Sequence, residues 1–469
     1  MSDSPTVDSN PTPEELPLPP YPDALGHPLT HSFRTMREPL SFRDQLMENH
    51  DVARSYFFGA GDIYNLSHPE HLKRVLVTDR EAFGKSDDFE TAFGEGLVAT
   101  EGDTWQTQRQ LLQPLFTQET IDTYVSSMVE QIHRRTDHWM AGETIDLQRE
   151  MRRLTLDTLF ATLFGRELDL ETDSDIHKAA IHLHEWFTPT SYPLPEWVPT
   201  PARRRFKHGR SKLQSIAEQL LTEKSADRGF EDDDPDDLLS LLVDLRKQSG
   251  KSDILSDTEL RDQIVTIVFA GHDTTASTLA LALYELSRNE GLRKRFYTEI
   301  DSLDSPIDKA TLSTLPVTER IVNETLRLYP AVFVVPRITT EPVVMSEYRI
   351  PEDKPVWLGV RQVQTDCRFY NDPHTFDPSR WKKDIKSEVP EYAFAPFGGG
   401  PRLCIGRQFA LTEAKLALAI IGRKFSLDRT DHTEDTEPSN NTHRVPDPPL
   451  TADMTLRLTP GTEFYVSNR

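Results

Sequence analysis

Cysteine occurs only twice in these 469 residues, at Cys367 and Cys404, which argues against a disulfide-stapled scaffold and for a reducing compartment. Lysine is also sparse: it supplies fewer than a third of the 53 basic residues, set against 76 acidic ones, and the net charge is −23. That balance argues against nucleic-acid binding, since neutralising phosphates needs a basic face. Missing too is any apolar run near the start that could serve as a signal peptide or membrane anchor; residues 1–22 are rich in Ser, Asp and Pro. They are expected to form a disordered tail, followed by a single domain over 23–469 in the cytoplasm. Length alone suggests about three domains, but no linker divides the chain. Dispersed acid with little lysine reads as a surface kept hydrated in concentrated salt, as in a halophile, the plainer alternative being an ordinary acidic protein.

Glycine, by contrast, is concentrated in Ala395-Pro396-Phe397-Gly398-Gly399-Gly400-Pro401-Arg402-Leu403-Cys404-Ile405-Gly406, a loop that presents one cysteine and runs into an apolar helix. Such a loop suits a thiolate held on a heme iron: backbone N–H groups and the metal stabilise the anion, and the glycines bring bare backbone against a flat macrocycle. Arg402 is then placed to pair with a propionate. A phosphate-cradling loop would need Gly-Lys-Ser or Gly-Lys-Thr, whereas Ile405-Gly406-Arg407-Gln408 follows. Phe397, Gly400, Arg402, Cys404 and Gly406 match every fixed position of the cysteine signature of the cytochrome P450 family, which this chain therefore resembles.

Ahead of that loop, Phe42 to Met47 reads as a short helix, and Ala53 to Phe58 and Asp62 to Leu66 as strands joined at Gly59 and Gly61. Ser67 and Glu70 are expected to form a capping box for the next helix. Trp105 and Arg109 stand at i, i+4, on one face of a helix, and resemble the family's pair that reaches a heme propionate. From Ile121 to Phe164 apolar residues recur at helical spacing, broken by Gly142 and a short Thr144-Ile145-Asp146 strand. A helical pair flanks Pro189 to Pro201, a segment with Trp186, Phe187, Tyr192 and Trp197 near it that is either a mobile roof over the substrate or a packed loop. The run Glu231 to Asp237 reads as a solvated connection.

The longest periodic segment, Thr258 to Leu286, is capped by Ser256 with Glu259. In its middle Ala270-Gly271-His272-Asp273-Thr274-Thr275 resembles the family's acid and alcohol pair. Small Ala270 and Gly271 would let heme and dioxygen lie against the backbone. The Thr274 hydroxyl can bond a preceding carbonyl. The resemblance implies that Asp273 connects to solvent and that Thr274 positions a water, the two relaying protons; His272 reads as structural. Leu315 to Tyr329 is a further helix, ended by Pro330. Its Glu324 and Arg327, with Arg380, resemble the glutamate-arginine set that locks the cysteine loop, although Ser379 and Gln364-Thr365-Asp366 depart from the common pattern. Arg337 stands at a propionate position of a strand in which Val332 to Val335 either face substrate or form sheet core. Phe269, Phe93 to Val98 and Met454 would also border substrate. Cys367 reads as an inert core or loop thiol. After Phe425 a polar insert, Thr430 to His443, precedes strands resuming at Thr455 to Val466.

The resemblance implies a mainly α fold with a smaller β region, heme b (iron protoporphyrin IX) lying between the long central helix and the cysteine loop with its helix. It implies a monooxygenase that inserts one atom of O2 into a mainly apolar small molecule by hydroxylation or epoxidation. Electrons would come from a separate ferredoxin or flavodoxin with its reductase. Fatty acids, terpenoids and steroids all remain open. The alternatives are a peroxygenase or peroxide-rearranging enzyme, against which Asp273 and Thr274 argue, and a non-catalytic heme sensor. Lys382, Lys383 and Lys386 form a basic cluster just before the cysteine loop that either receives the electron donor or is a solvated turn.

Overall fold

A computed structural model of the chain describes residues 13–169, 172–188, 198–227, 237–248, 255–304, 306–382, 385–430 and 448–469. Its axis is the helix Asp257–Arg288, whose 32 residues span about 48 Å at 1.5 Å per residue. The capping box forms as expected: the Glu259 backbone N–H donates to Ser256 Oγ at 3.1 Å and the Ser256 N–H donates to Glu259 Oε2 at 2.7 Å. Apolar residues occur on every face of this helix, and Leu147–Leu163, Pro201–Asp227, Pro316–Leu328 and Arg407–Lys424 pack around it. The buried side chains of these helices join in one continuous core. Among the described residues the central helix is the one segment long and apolar enough to cross a bilayer, and most of it is buried inside the protein.

A smaller β region flanks the helices. Its main sheet has the order Val52–Phe57, Gly61–Leu66, Pro355–Gly359, Val334–Thr339, Phe83–Gly84, antiparallel except where Gly61–Leu66 runs parallel to Pro355–Gly359. It encloses a second apolar cluster. Thr144–Asp146, Glu463–Asn468 and Phe425–Arg429 form a three-stranded sheet, and Leu450–Ala452 pairs with Leu456–Leu458.

Three expectations need correction. The tail expected through residue 22 is tied down by Pro17: the Arg349 N–H donates to Pro17 O, Arg54 donates to Pro19 O and Pro20 O, and Tyr21 Oη donates to Asp62. Sheet edges with unmet backbone groups recruit such a segment. Second, His68 rather than Ser67 caps the helix Pro69–Lys73, its ring nitrogen accepting from the Glu70 N–H at 3.2 Å, while Ser67 Oγ is spent on His50 O. Third, the terminal strands resume at Leu450 rather than Thr455. Residues 1–12, the roof segment 189–197, the acidic run 231–236 and the insert from 431 to 443 lie outside the described residues.

Candidate active site

The cysteine loop is held by its own backbone. The Cys404 N–H donates to Phe397 O at 3.0 Å, Leu403 N–H to Gly400 O at 3.1 Å and Gly398 N–H to Ala395 O at 3.0 Å. Gly400 is required twice over: its φ is +62°, and a Cβ there would lie 2.5 Å from Leu76 O. Beside Gly406 no atom lies within 4 Å of a Cβ position, so the loop borders open space where the helix Arg407–Lys424 begins. Cys404 is an exposed residue, yet the protein around it desolvates its thiol, so it faces a hollow within the protein rather than bulk solvent. Burial pushes its thiol up, partly offset by the Gly406 backbone and the charges of Arg109 and Arg407.

Cations crowd the rim of this hollow. Arg402 lies 4.5 Å above the Trp105 ring and donates to Thr100 O at 3.1 Å. Arg337, on the strand Val334–Thr339, donates only to its neighbour Pro336 O among the described residues. Lys85 joins them, bonded to Val98 O and Thr100 O. The register Phe83↔Thr339, Gly84↔Ile338 places Lys85, one residue on, opposite Arg337. Burial, then Arg402 and Arg337, pull the Lys85 amine down to about 6; burial and Arg402 pull Arg337 down to about 10. Glu101 alone offsets them, 3.7 Å from Arg402. Packed cations short of acid partners make a cradle for two carboxylates, which heme b carries as propionates, so the donor set fits that group. Lys85 was not foreseen; only the strand pairing brings it here.

Across from the loop, the central helix offers one accessible strip within a mostly buried length: Ala270, exposed, with Gly271 and Thr274 half-buried. Thr274 Oγ1 donates to Ala270 O at 2.8 Å, as expected of a mid-helix threonine. Gly271 differs from expectation: a Cβ there would lie 2.4 Å from Leu159 Cδ1, so its smallness serves helix packing. Asp273 differs more. Instead of opening on solvent it is fully buried, accepting from Arg152 Nε at 2.5 Å and Thr455 Oγ1 at 2.6 Å, with His184 Nδ1 3.5 Å away. One residue turns about 100° round a helix, and that rotation aims Asp273 at Leu147–Leu163 and the terminal strands. Burial raises a carboxyl, but Arg152, His184 and Arg457 together hold this one well below the usual range. His272 turns away from the accessible strip and is anchored within its own helix: Nδ1 lies 2.7 Å from Val268 O.

Glu324, Arg327 and Arg380 meet as expected. Arg327 Nη2 and Nε donate to the two Glu324 oxygens at 2.8 and 2.9 Å, and Arg380 Nε donates to Oε1 at 3.1 Å. The Asp377 N–H and Trp381 Nε1 complete the carboxylate, each at 2.9 Å, so its charge is fully solvated by protein. Gln364, which departs from the common pattern, is the link to the loop: its Nε2 donates to Leu326 O and Arg327 O, and its Oε1 accepts from the Ala395 N–H, all at 2.9 Å. Ser379 takes no part in the carboxylate cluster, its N–H donating to Asp377 Oδ1.

Apolar walls border the approach. Phe93 and Phe269 lie 4.4 Å apart between ring centres, and Phe187 stacks on Phe93. The Glu95 and Leu97 N–H groups donate to Asp262 Oδ2 and Gln263 Oε1 of the central helix, fixing this segment. A cavity of about 120 Å³ opens among Phe89, Phe187, Phe333, Val334, Trp357 and Met454. Cys367 is an exposed loop thiol, not a core one. Of the lysine cluster, the Lys382 side chain is described, and it is exposed.

A profile described as Cytochrome P450 matches residues 19–455. Pentalenene oxygenase from Streptomyces avermitilis is 34% identical, over 83% of this chain and 87% of that protein. Cyclooctat-9-en-7-ol 5-monooxygenase from Streptomyces melanosporofaciens is 31% identical, over 85% and 87%. Among solved structures, retinoic acid-bound cyanobacterial CYP120A1 aligns with a TM-score of 0.80 at 22% identity, over 97% of this chain and 100% of that one. The cytochrome P450DA heme domain aligns at 0.77 and 24%, over 97% and 98%. These two likenesses speak for the fold.

Proposed function

The chain belongs to the cytochrome P450 family of heme monooxygenases, and on that premise we propose that it hydroxylates or epoxidises an apolar, terpenoid-type molecule. The relatives named for pentalenene and cyclooctatin support that class over fatty acids or steroids. The observation that carries it is the aromatic and aliphatic wall of Phe89, Phe93, Phe187, Phe269, Phe333, Val334 and Met454, which offers a compact hydrocarbon shape contacts on several sides and few polar groups to orient it.

When bound, heme b supplies reductive activation of dioxygen and delivery of one oxygen atom. Cys404 would hold the iron as a thiolate, with the glycine turn between Phe397 and Gly406 fixing the cysteine's position. Arg109, Arg337 and Arg402, with Trp105 and Lys85, would take the propionates. Thr274 Oγ1, anchored on Ala270 O, positions a water on the accessible strip. Asp273 is the nearest carboxylate along the helix; held ionised by Arg152, it can relay a proton only by accepting one through the Thr455 hydroxyl and passing it on. Glu324, Arg327 and Arg380 act on the loop through Gln364.

Electrons come from a ferredoxin or flavodoxin, for which exposed Lys382 offers a positive point in an acidic, lysine-poor chain. The same acid suits a cytoplasm rich in salt. The deciding experiment screens terpenes, fatty acids and steroids for the Soret shift of distal water displacement, then for oxygenated product with a surrogate reductase. Shifts and product confined to fatty acids or steroids remove the terpenoid reading.

A further inference from the structure

Behind the central helix, between Leu147–Leu163 and Ser174–Leu183, lies a cavity of about 270 Å³ that the oxygenation reading does not use. Arg135, Arg149, Arg152, Arg153 and Lys178 line it, and no carboxylate among the described residues does. In a chain of net charge −23 this is an inverted environment. The acids that pair with these cations do not line it: Asp157 holds Arg135, Glu150 holds Arg153 at 2.8 Å, Asp273 holds Arg152 at 2.5 Å and Asp175 lies 3.3 Å from Lys178. Each guanidinium carries five N–H donors. Arg152 and Arg153 each spend one on their acid, and Arg149 is exposed with no acid partner among the described residues.

Ser174 and two histidines complete the polar lining; His177 is spent on Asp157 and Asp173 O, whereas His272, 1% exposed, is only half spent. Its Nδ1–H is committed to Val268 O, and burial keeps the ring neutral, with its pKa pulled down to about 4. Nε2 therefore carries a lone pair, buried and without a hydrogen-bond partner among the described residues, on a side chain that lines the cavity. A buried acceptor calls for a donor, while the arginines call for anionic oxygens. Sulfate and carboxylates offer acceptors only at neutral pH. Hydrogen phosphate offers both, anionic oxygens for the guanidinium groups and one P–OH for Nε2.

We propose that this cavity is a binding site for a hydrogen phosphate group, free or as a singly protonated monoester, with Arg149, Arg152, Arg153 and Lys178 on its oxygens and His272 Nε2 accepting from its hydroxyl. The site shares Arg152 with Asp273, so its occupant sits one side chain from the buried carboxylate. Binding does not depend on the substrate class or on any role of Asp273, and its test reads no turnover.

The test is calorimetric titration of the heme-loaded protein with inorganic phosphate, glycerol 3-phosphate, sulfate and chloride at matched ionic strength, near pH 6.5 where the protonated phosphate forms are abundant. One phosphate per chain is expected, bound roughly tenfold tighter than sulfate, the effect of one added hydrogen bond to a buried acceptor. If glycerol 3-phosphate binds as well as phosphate, the natural ligand is a monoester; if it does not, the free ion is. An Arg149→Gln/Lys178→Gln variant changes side chains at the exposed side of the cavity. It should weaken phosphate roughly tenfold or more with an unchanged Soret spectrum and unchanged thermal midpoint in chloride. Affinity for sulfate equal to that for phosphate, or undiminished binding by the double variant, overturns the proposal.

Discussion

Cys404 and Gly400 contribute different things to one loop, and substitution separates them. Cys404→Ser keeps the turn, since the Phe397 O bond is made by backbone, but removes the thiolate. The reduced, carbon monoxide-bound protein should then lose its thiolate-type Soret band, and a variant that kept it would take Cys404 off the iron. Gly400→Ala acts the other way. It leaves the ligand in place but forces a left-handed φ and a clash with Leu76 O, at a cost of roughly 1–3 kcal/mol. Chemical denaturation should show the loss, with heme released earlier than in the parent. Thr274→Ala should still bind heme and substrate yet release peroxide in place of product, because no other hydroxyl on the accessible strip replaces Oγ1. Product formed per electron consumed is the measure, and unchanged coupling would falsify the role given to this threonine.

The helix Pro316–Leu328 is a brace whose strength rests on one buried carboxylate. Glu324 receives five donors from four residues, two from Arg327 and one each from Arg380, Trp381 and the Asp377 backbone. Arg327 is 0% exposed. Glu324→Ala therefore leaves a buried guanidinium without its counter-charge, a change that costs about 3–5 kcal/mol. Equilibrium unfolding should register that loss, and the purified variant should carry little heme, because the same helix end holds Ala395 through Gln364. The cap of the central helix is a smaller and more local device. Ser256→Ala should cost about 1 kcal/mol without altering the Soret spectrum, since the cap lies several turns from Thr274.

Stability as a function of pH is set by groups in several parts of the chain at once. Burial pulls His184 down to about 3, and His71 and His272 down to about 4. Unfolded, each titrates near 6.5, so between about pH 6.5 and 4 the unfolded chain binds more protons and stability rises with pH. Their contribution is complete above about 6.5 and is lost on acidification, by up to about 1.4 kcal/mol per pH unit for each histidine. The depressed carboxyl of Asp273 contributes above the ordinary carboxylate pKa of about 3.9 and is lost only below it, outside that window. Denaturant midpoints should fall steeply from pH 6.5 to 4.5, and His71→Gln, which can keep a bond to Ser346, should flatten the slope. A slope unchanged by that variant would mean that His71 titrates normally.

Much of this was legible in the chain because it is written locally. The cysteine turn, the Ser256 and Glu259 cap, the Thr274 bond to Ala270 and the Glu324–Arg327 pair all join residues within a few positions, where spacing and backbone preference suffice. What needed the tertiary structure joins residues far apart in sequence. Lys85 reaches the cation cradle only because Phe83–Gly84 pairs with the strand carrying Arg337. Asp273 turns from solvent to burial because Arg152, 121 positions away, and Thr455, 182 away, converge on it. Ser67 yields its cap to His68 because His50 O lies nearby, and Gln364 becomes a strut because the loop comes to rest against it. Periodicity and motif specify which elements form and which groups they carry. Which partner each buried charge meets is decided by packing, because a desolvated charge takes its counter-group from whichever part of the chain the fold brings within reach.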